Sequence, residues 1–156
     1  MAMVVYVGDA GDVINRIRSQ HCSGNVEASA LRRHLAQKKG YRLVSTKRLS
    51  GITRLRIDLP NPREGENEIS VYIRSGRWRY CLCDSPAEAT DFQWYVIEKL
   101  NPLLNVERRP WNQKAKPKYE ALLDRLLASR EFSCDGVKSR PTGPGVYVLY
   151  HDVEPK

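Results

Sequence analysis

Arginine is the side chain through which this sequence could most directly engage a phosphate, because its planar guanidinium grips two oxygens at once. The chain has 26 Lys plus Arg against 18 Asp plus Glu, a net charge of +8, and the cations come in clusters. Arg16 and Arg18 lie in "INRIRSQH", Arg32 and Arg33 in "ALRRHLAQKK", Lys47, Arg48 and Arg54 in "YRLVSTKRLSGITRLR", and Arg77 beside Trp78 in "RSGRWRY". Such an excess on a small domain favours a polyanionic partner. The long basic stems would reach phosphates, and Trp78 or Trp111 could stack on bases or wedge between them. Of the histidines, His34 reads as a surface or half-buried helical residue and His151 as a turn residue. Cys22, Cys81, Cys83 and Cys134 form no C-x-x-C pair, and His21 next to Cys22 is poor ligand spacing for zinc. Reduced, partly buried thiols are expected.

The elements that must carry these residues can be placed along one domain of 156 residues. Residues 3–7, "MVVYV", read as a strand, and Asp12 as the N-cap of a helix from about Val13 to "CSGN". A second helix is expected over 27–39. A β-rich segment follows over 42–80: "YRLVS" and "TRLRIDL" as strands, "NPREGEN" as a polar turn, and "EISVYIR" with "RWRYCLC" as a hairpin. Ser85 and Pro86 open a third helix that ends at "NPLLN", and a fourth, amphipathic helix runs over 116–132. "PTGPG" leads into a last strand at 145–150. The class is α/β or α+β, with a small, mostly antiparallel sheet flanked by helices. No apolar run approaches the roughly 20 residues of a membrane span, and the N-terminus lacks signal-peptide features, so a cytoplasmic protein is expected.

Taken together, "Tyr6-Val7-Gly8" near one end and "Gly145-Val146-Tyr147" near the other resemble the two name-giving motifs of the GIY-YIG nuclease superfamily, in reversed order. Arg16, eight residues after Gly8, matches the family's helical arginine, and "Pro102-Leu103-Leu104-Asn105" its Pro-x-x-Asn-like ending. Joining the ends in thought gives "GVYVLYHDVEPKMAMVVYVG", a strand, a polar turn and a strand. The resemblance therefore implies a circularly permuted module whose last strand pairs with its first. That pairing could close within one chain, as a monomer, or between two, as a strand-swapped dimer.

The resemblance also implies roles. Tyr6 and Tyr147 would shape the water-activating side, and Arg16 would stabilise the phosphate. One α-helical turn beyond Arg16 the family often has a histidine or tyrosine. Here that position is Gln20, and His21, one further on, is a candidate base if the helix frays there. The family's metal-binding glutamate falls on Gln93, and no carboxylate shares that face of the helix. An amide keeps one acceptor oxygen but not the charge that holds Mg2+, so divalent-cation binding should be weak or absent. Gln93 is either natural, in a member that binds without cutting, or a substitution made to trap a complex.

Three functional readings follow. The first is a metal-dependent endonuclease acting on DNA, in particular duplex DNA, and impaired at residue 93. The second is a non-catalytic nucleic-acid-binding module on the same scaffold. The third is an interaction domain for an acidic protein.

Overall fold

The terminal strand is apolar on both faces, and this sets the architecture. Val146, Val148 and Tyr150 point to one side of it and Tyr147 and Leu149 to the other, and every residue of Gly145–His151 is buried. A strand of that kind needs a partner along each edge and a layer of helices on each face. The computed structural model, which describes residues 2–156, provides both.

Strand β1 (Met3–Ala10) is followed by a single helical turn, α1 (Val13–Asn15), that widens into a π-helix over Arg16–His21. Next come α2 (Ala30–Lys38), the strands β2 (Leu43–Lys47) and β3 (Thr53–Ile57), α3 (Pro62–Arg74), β4 (Arg77–Leu82), α4 (Pro86–Leu100), α5 (Lys116–Ala128) and β5 (Gly145–His151). Short 3-10 turns occupy Gln113–Ala115 and Cys134–Ser139. The main sheet has the order β1-β5-β4, antiparallel throughout, and β2 and β3 form a separate antiparallel pair. The architecture is α+β, with a small antiparallel sheet flanked by helices.

Both ends of the chain meet as neighbouring strands within one molecule, with Met3 opposite His151 and Gly8 opposite Tyr147. One face of the sheet is covered by the first helical turn, α2 and α3 through Ile14, Ile17, Leu31, Leu35, Ile69 and Ile73. The other is covered by α4 and α5 through Phe92, Tyr95, Val96, Tyr119, Leu122 and Leu126. The outer edge of β1 is closed by the segment after α4, where Leu103 and Leu104 donate backbone N–H bonds to the carbonyls of Val4 and Val5.

The expected β-rich segment contains a helix instead. Residues 61–74 of "NPREGENEISVYIR" form the cap and body of α3, so the predicted turn at "NPREGEN" and strand at "EISVYIR" are both overturned. Asn61 caps the helix by accepting from the Arg63 N–H, Pro62 takes the first position, and Glu64 sits in the first turn. Gly65, Ile69, Tyr72 and Ile73 share the buried face at helical spacing. β-branched residues suggested a strand, but capping and burial decided for a helix. The fourth helix stops at Ala128, short of the expected 132, and the second starts at Ala30 after its cap, Ser29.

The thiols also differ from expectation. Cys22, at the end of the π-helix, is disulfide-bonded to Cys134, with Cα atoms 6.0 Å apart, while Cys81 and Cys83 are free. The separation of 112 residues between Cys22 and Cys134 left nothing in the local spacing to suggest the bridge. Among the described residues, no helix is long and apolar enough to cross a membrane. A bridge closing so long a loop should add about 2–4 kcal/mol to the unfolding free energy. Urea unfolding with and without dithiothreitol measures this, and an unchanged midpoint on full reduction would show that the bridge contributes nothing.

Candidate active site

Gly8 lies directly across from Tyr147 in the β1–β5 ladder, and the Tyr147 ring folds over it. A Cβ on residue 8 would stand 2.4 Å from the phenol oxygen, so only glycine admits this placement. Folded over Gly8, the Tyr147 hydroxyl lies 2.6 Å from His21 Nε2. His21 Nδ1 is 2.6 Å from Ser29 Oγ, which also caps α2 by accepting from the Arg32 N–H. A neutral imidazole offers one N–H and one lone pair, so one hydroxyl donates to the ring while the other accepts.

Two irregularities bring the remaining groups to this face. The β1–β5 register shifts between Val4 and Tyr6, a bulge that accommodates one extra residue, Val5. Strict alternation would turn Tyr6 away from Val5. With the bulge, both pack on the Tyr147 side, and the rings of Tyr6 and Tyr147 lie 6.4 Å apart. The second irregularity is the π-helix. Its i to i+5 bonding, seen in the 2.8 Å bond from the Cys22 N–H to the Ile17 carbonyl, spreads the turn. A residue five after Arg16 therefore returns towards the face that four would reach in an α-helix, and His21 rather than Gln20 sits with the tyrosines. The His21 ring lies 6.0 Å from that of Tyr6 and, parallel to within 7°, 6.0 Å from that of Trp78.

The electrostatics exclude His21 as a free base. It is 1% exposed, and burial, with the nearby Arg16 and Arg32 charges, pushes its pKa down to about 3. With both nitrogens bonded, it positions Tyr147 and does not meet solvent. Burial also raises the Tyr147 phenol well above its ordinary range and raises Tyr6 more modestly, with Arg16 opposing both shifts. Arg16 is half-exposed and, among the described residues, has no carboxylate partner within 4 Å.

Beside this group lies a cleft of about 230 Å³ lined by Tyr6, His34, Gln93, Trp94, Asn105 and Glu107. Asn105 holds its floor. Its amide accepts from the Val7 N–H at 2.8 Å and donates to the Val7 carbonyl at 2.9 Å, as a paired strand would. His34, half-buried in this wall, was not singled out by sequence reasoning as a site residue. Its Nδ1 lies 3.0 Å from the Leu104 carbonyl, which can only accept. Nδ1 therefore carries a proton, and in the neutral ring the lone pair lies on Nε2. Only the fold could show this, since the bond joins α2 to the segment after α4. Gln93 supplies an amide at the expected ligand position, Glu107 is the one carboxylate lining the cleft, and no group of three His, Cys, Asp or Glu side chains that could hold a metal ion occurs among the described residues.

Several predicted nucleic-acid contacts are reassigned. Arg32 is fully buried, ion-paired to Glu66 at 3.1 Å and bonded to the His21 and Glu66 carbonyls and Ser70. It ties α2 to α3. Trp78 is fully buried against His21, and Trp111 is buried with its indole N–H on Glu98, so neither can reach a base. Arg77 is engaged by Glu131 and Asp152. Arg33 is half-buried and donates to the Val26 carbonyl, while Arg18, Lys47, Arg48 and Arg54 stay at the surface. His151, expected in a turn, ends β5, buried, with its ring 4.0 Å from that of Tyr72.

No protein-family model matches the chain, and neither a curated protein nor a solved structure is significantly similar to it.

His21 titrates near 6.5 when unfolded and near 3 when folded. Below pH 6.5 the unfolded chain takes up a proton that the native site refuses. Stability from this group should thus fall by about 1.4 kcal/mol per pH unit as pH drops towards 3. His21→Gln abolishes that dependence. The wild-type advantage over the variant in urea unfolding should therefore shrink between pH 7 and pH 4.5, and a constant difference would remove His21 from the acid response. At pH 7, Tyr147→Phe should cost about 1–3 kcal/mol by stranding a buried imidazole nitrogen.

Proposed function

We propose that this chain is a phosphodiester-cleaving, nucleic-acid-binding domain of the GIY-YIG kind, permuted in chain order and impaired at its metal-binding position. The observation that carries the reading is the pairing of the two chain ends. It sets Tyr6, Tyr147 and His21 together on one face of the sheet, within the electrostatic reach of Arg16. Hydrolysis of a phosphodiester requires charge stabilisation on the phosphoryl oxygens, a deprotonated water and a protonated leaving oxygen. Arg16, half-exposed and without a carboxylate partner among the described residues, supplies the first. The Nε2 lone pair of His34, on the wall shared with Tyr6, suits the second. The Tyr6 phenol, kept protonated by burial, can donate towards the leaving oxygen, which then takes its proton from the phenol or from solvent water.

Gln93 favours a second reading, a module that binds nucleic acid and cleaves it slowly or not at all. Its place in the cleft wall beside Tyr6 is where a carboxylate would bring charge.

Two experiments separate the readings. Binding of a duplex oligonucleotide, followed by fluorescence anisotropy, should weaken roughly a hundredfold between 50 and 200 mM salt if about four phosphates are neutralised. An affinity indifferent to salt would exclude both. Gln93→Glu should then confer nicking of DNA in the presence of Mg2+ or Mn2+, with the added Arg16→Ala substitution abolishing it. A revertant that binds duplex but stays inert across varied substrates leaves only the binding module.

A further inference from the structure

The β2–β3 hairpin stands outside the main sheet, its strands paired through the backbone only with each other. With five residues in each strand, it forms an arm about 17 Å long. Two backbone bonds fix its tip, from the Arg48 N–H to the Ile52 carbonyl and from the Gly51 N–H to the Arg48 carbonyl, both 2.8 Å. Gly51 takes a positive φ of 86°, which the turn requires. The tip thus presents Leu49 and Ile52 to solvent, 110% and 62% exposed.

Leu49 and Ile52 belong to neither core cluster, so their exposure at the apex of this turn adds nothing to the burial that holds the fold. Their flanks are cationic. Lys47, Arg48 and Arg56 have no carboxylate partner within 4 Å among the described residues, and Arg54 is shared with Glu27. Apolar side chains on a narrow, basic two-stranded arm match the way some proteins insert wedges between base pairs from the minor groove. We propose that this hairpin is a DNA-deforming arm: it lies along the minor groove of duplex DNA, with Lys47, Arg48 and Arg56 on the phosphates and Leu49 wedged between base pairs, kinking the duplex.

The arm is joined to the candidate site. Arg54 bonds Glu27 at 3.3 Å, in the loop that runs from the π-helix to Ser29, and Ser29 touches His21. Through β3, the arm is thus tied to the loop that leads into the candidate site. The inference rests on the nucleic-acid reading of the cleft.

The test uses the full chain, the double variant Leu49→Ser with Ile52→Ser, and the double variant Lys47→Ala with Arg48→Ala. All four positions are exposed, and matching urea unfolding curves would confirm intact folds. Energy transfer between dyes at the ends of a 30-base-pair duplex reads bending, and anisotropy on the same duplex reads affinity. The wild-type chain should shorten the end-to-end distance. The Leu49/Ile52 variant should bind about tenfold more weakly, with its salt dependence unchanged and the bending lost. The Lys47/Arg48 variant should lower the salt slope by roughly two. If the Leu49/Ile52 variant binds and bends like wild type, or if wild type binds without bending, the arm is not a wedge, while the nucleic-acid reading stands. If no form binds duplex, both fall. Sedimentation with phosphatidylserine vesicles that depends on Leu49 and Ile52, with DNA binding unaffected, would make the tip a membrane contact and overturn the inference.

Discussion

The β1–β5 ladder is the constraint on which the other features depend. β5 is buried over its whole length and cannot stand at an edge, so the first and last strands must meet. Their register puts Gly8 under Tyr147, and the absent side chain at residue 8 lets the phenol reach His21. A one-residue slip would turn Tyr147 towards α4 and α5 and break the contact with His21. The bulge at Val5 works in the same ladder by bringing Tyr6 to that face.

A buried polar chain then fixes the site to the helices. Tyr147, His21 and Ser29 are linked by short hydrogen bonds, Ser29 caps α2, and Arg32 one turn later is locked to Glu66 and Ser70 of α3. Groups satisfied in this way specify one arrangement of the elements, because each unpaired member would be costly. The same burial that makes the network rigid removes His21 and Arg32 from contact with any ligand. Arg16, outside it, keeps a half-exposed guanidinium beside the tyrosines.

What the sequence disclosed follows from where the information lies. Strands with apolar runs, such as "MVVYV" and "GVYVLY", and helices with strong caps, such as Ser85-Pro86, were legible because their signals are local. The pairing of the two ends was legible only through a motif resemblance. Helix α3 was misread because β-branched residues outweighed an Asn-Pro start. The π-turn left no local signal: His21 was a candidate only on the supposition of a fraying helix, and the widened turn is what brings it to the tyrosines. Burial separated Arg16 from Arg32 and Trp78 from the surface, and no spacing rule distinguishes a cation that meets solvent from one that ties two helices together. His34 acquired its meaning from a carbonyl 70 residues away.

The bridge between Cys22 and Cys134 divides the chain in a further way. It closes a covalent ring across a separation of 112 residues, and β1 and β5 lie on the two free tails outside that ring. Drawn apart by its ends under force, an oxidised molecule would give up only those tails, and with them the contact between the two tyrosines. The helices and the hairpin inside the ring would bear no tension. The two strands that bring the tyrosines together would thus be the mechanically separable part, while His34, Gln93 and Asn105 of the cleft stay inside the ring.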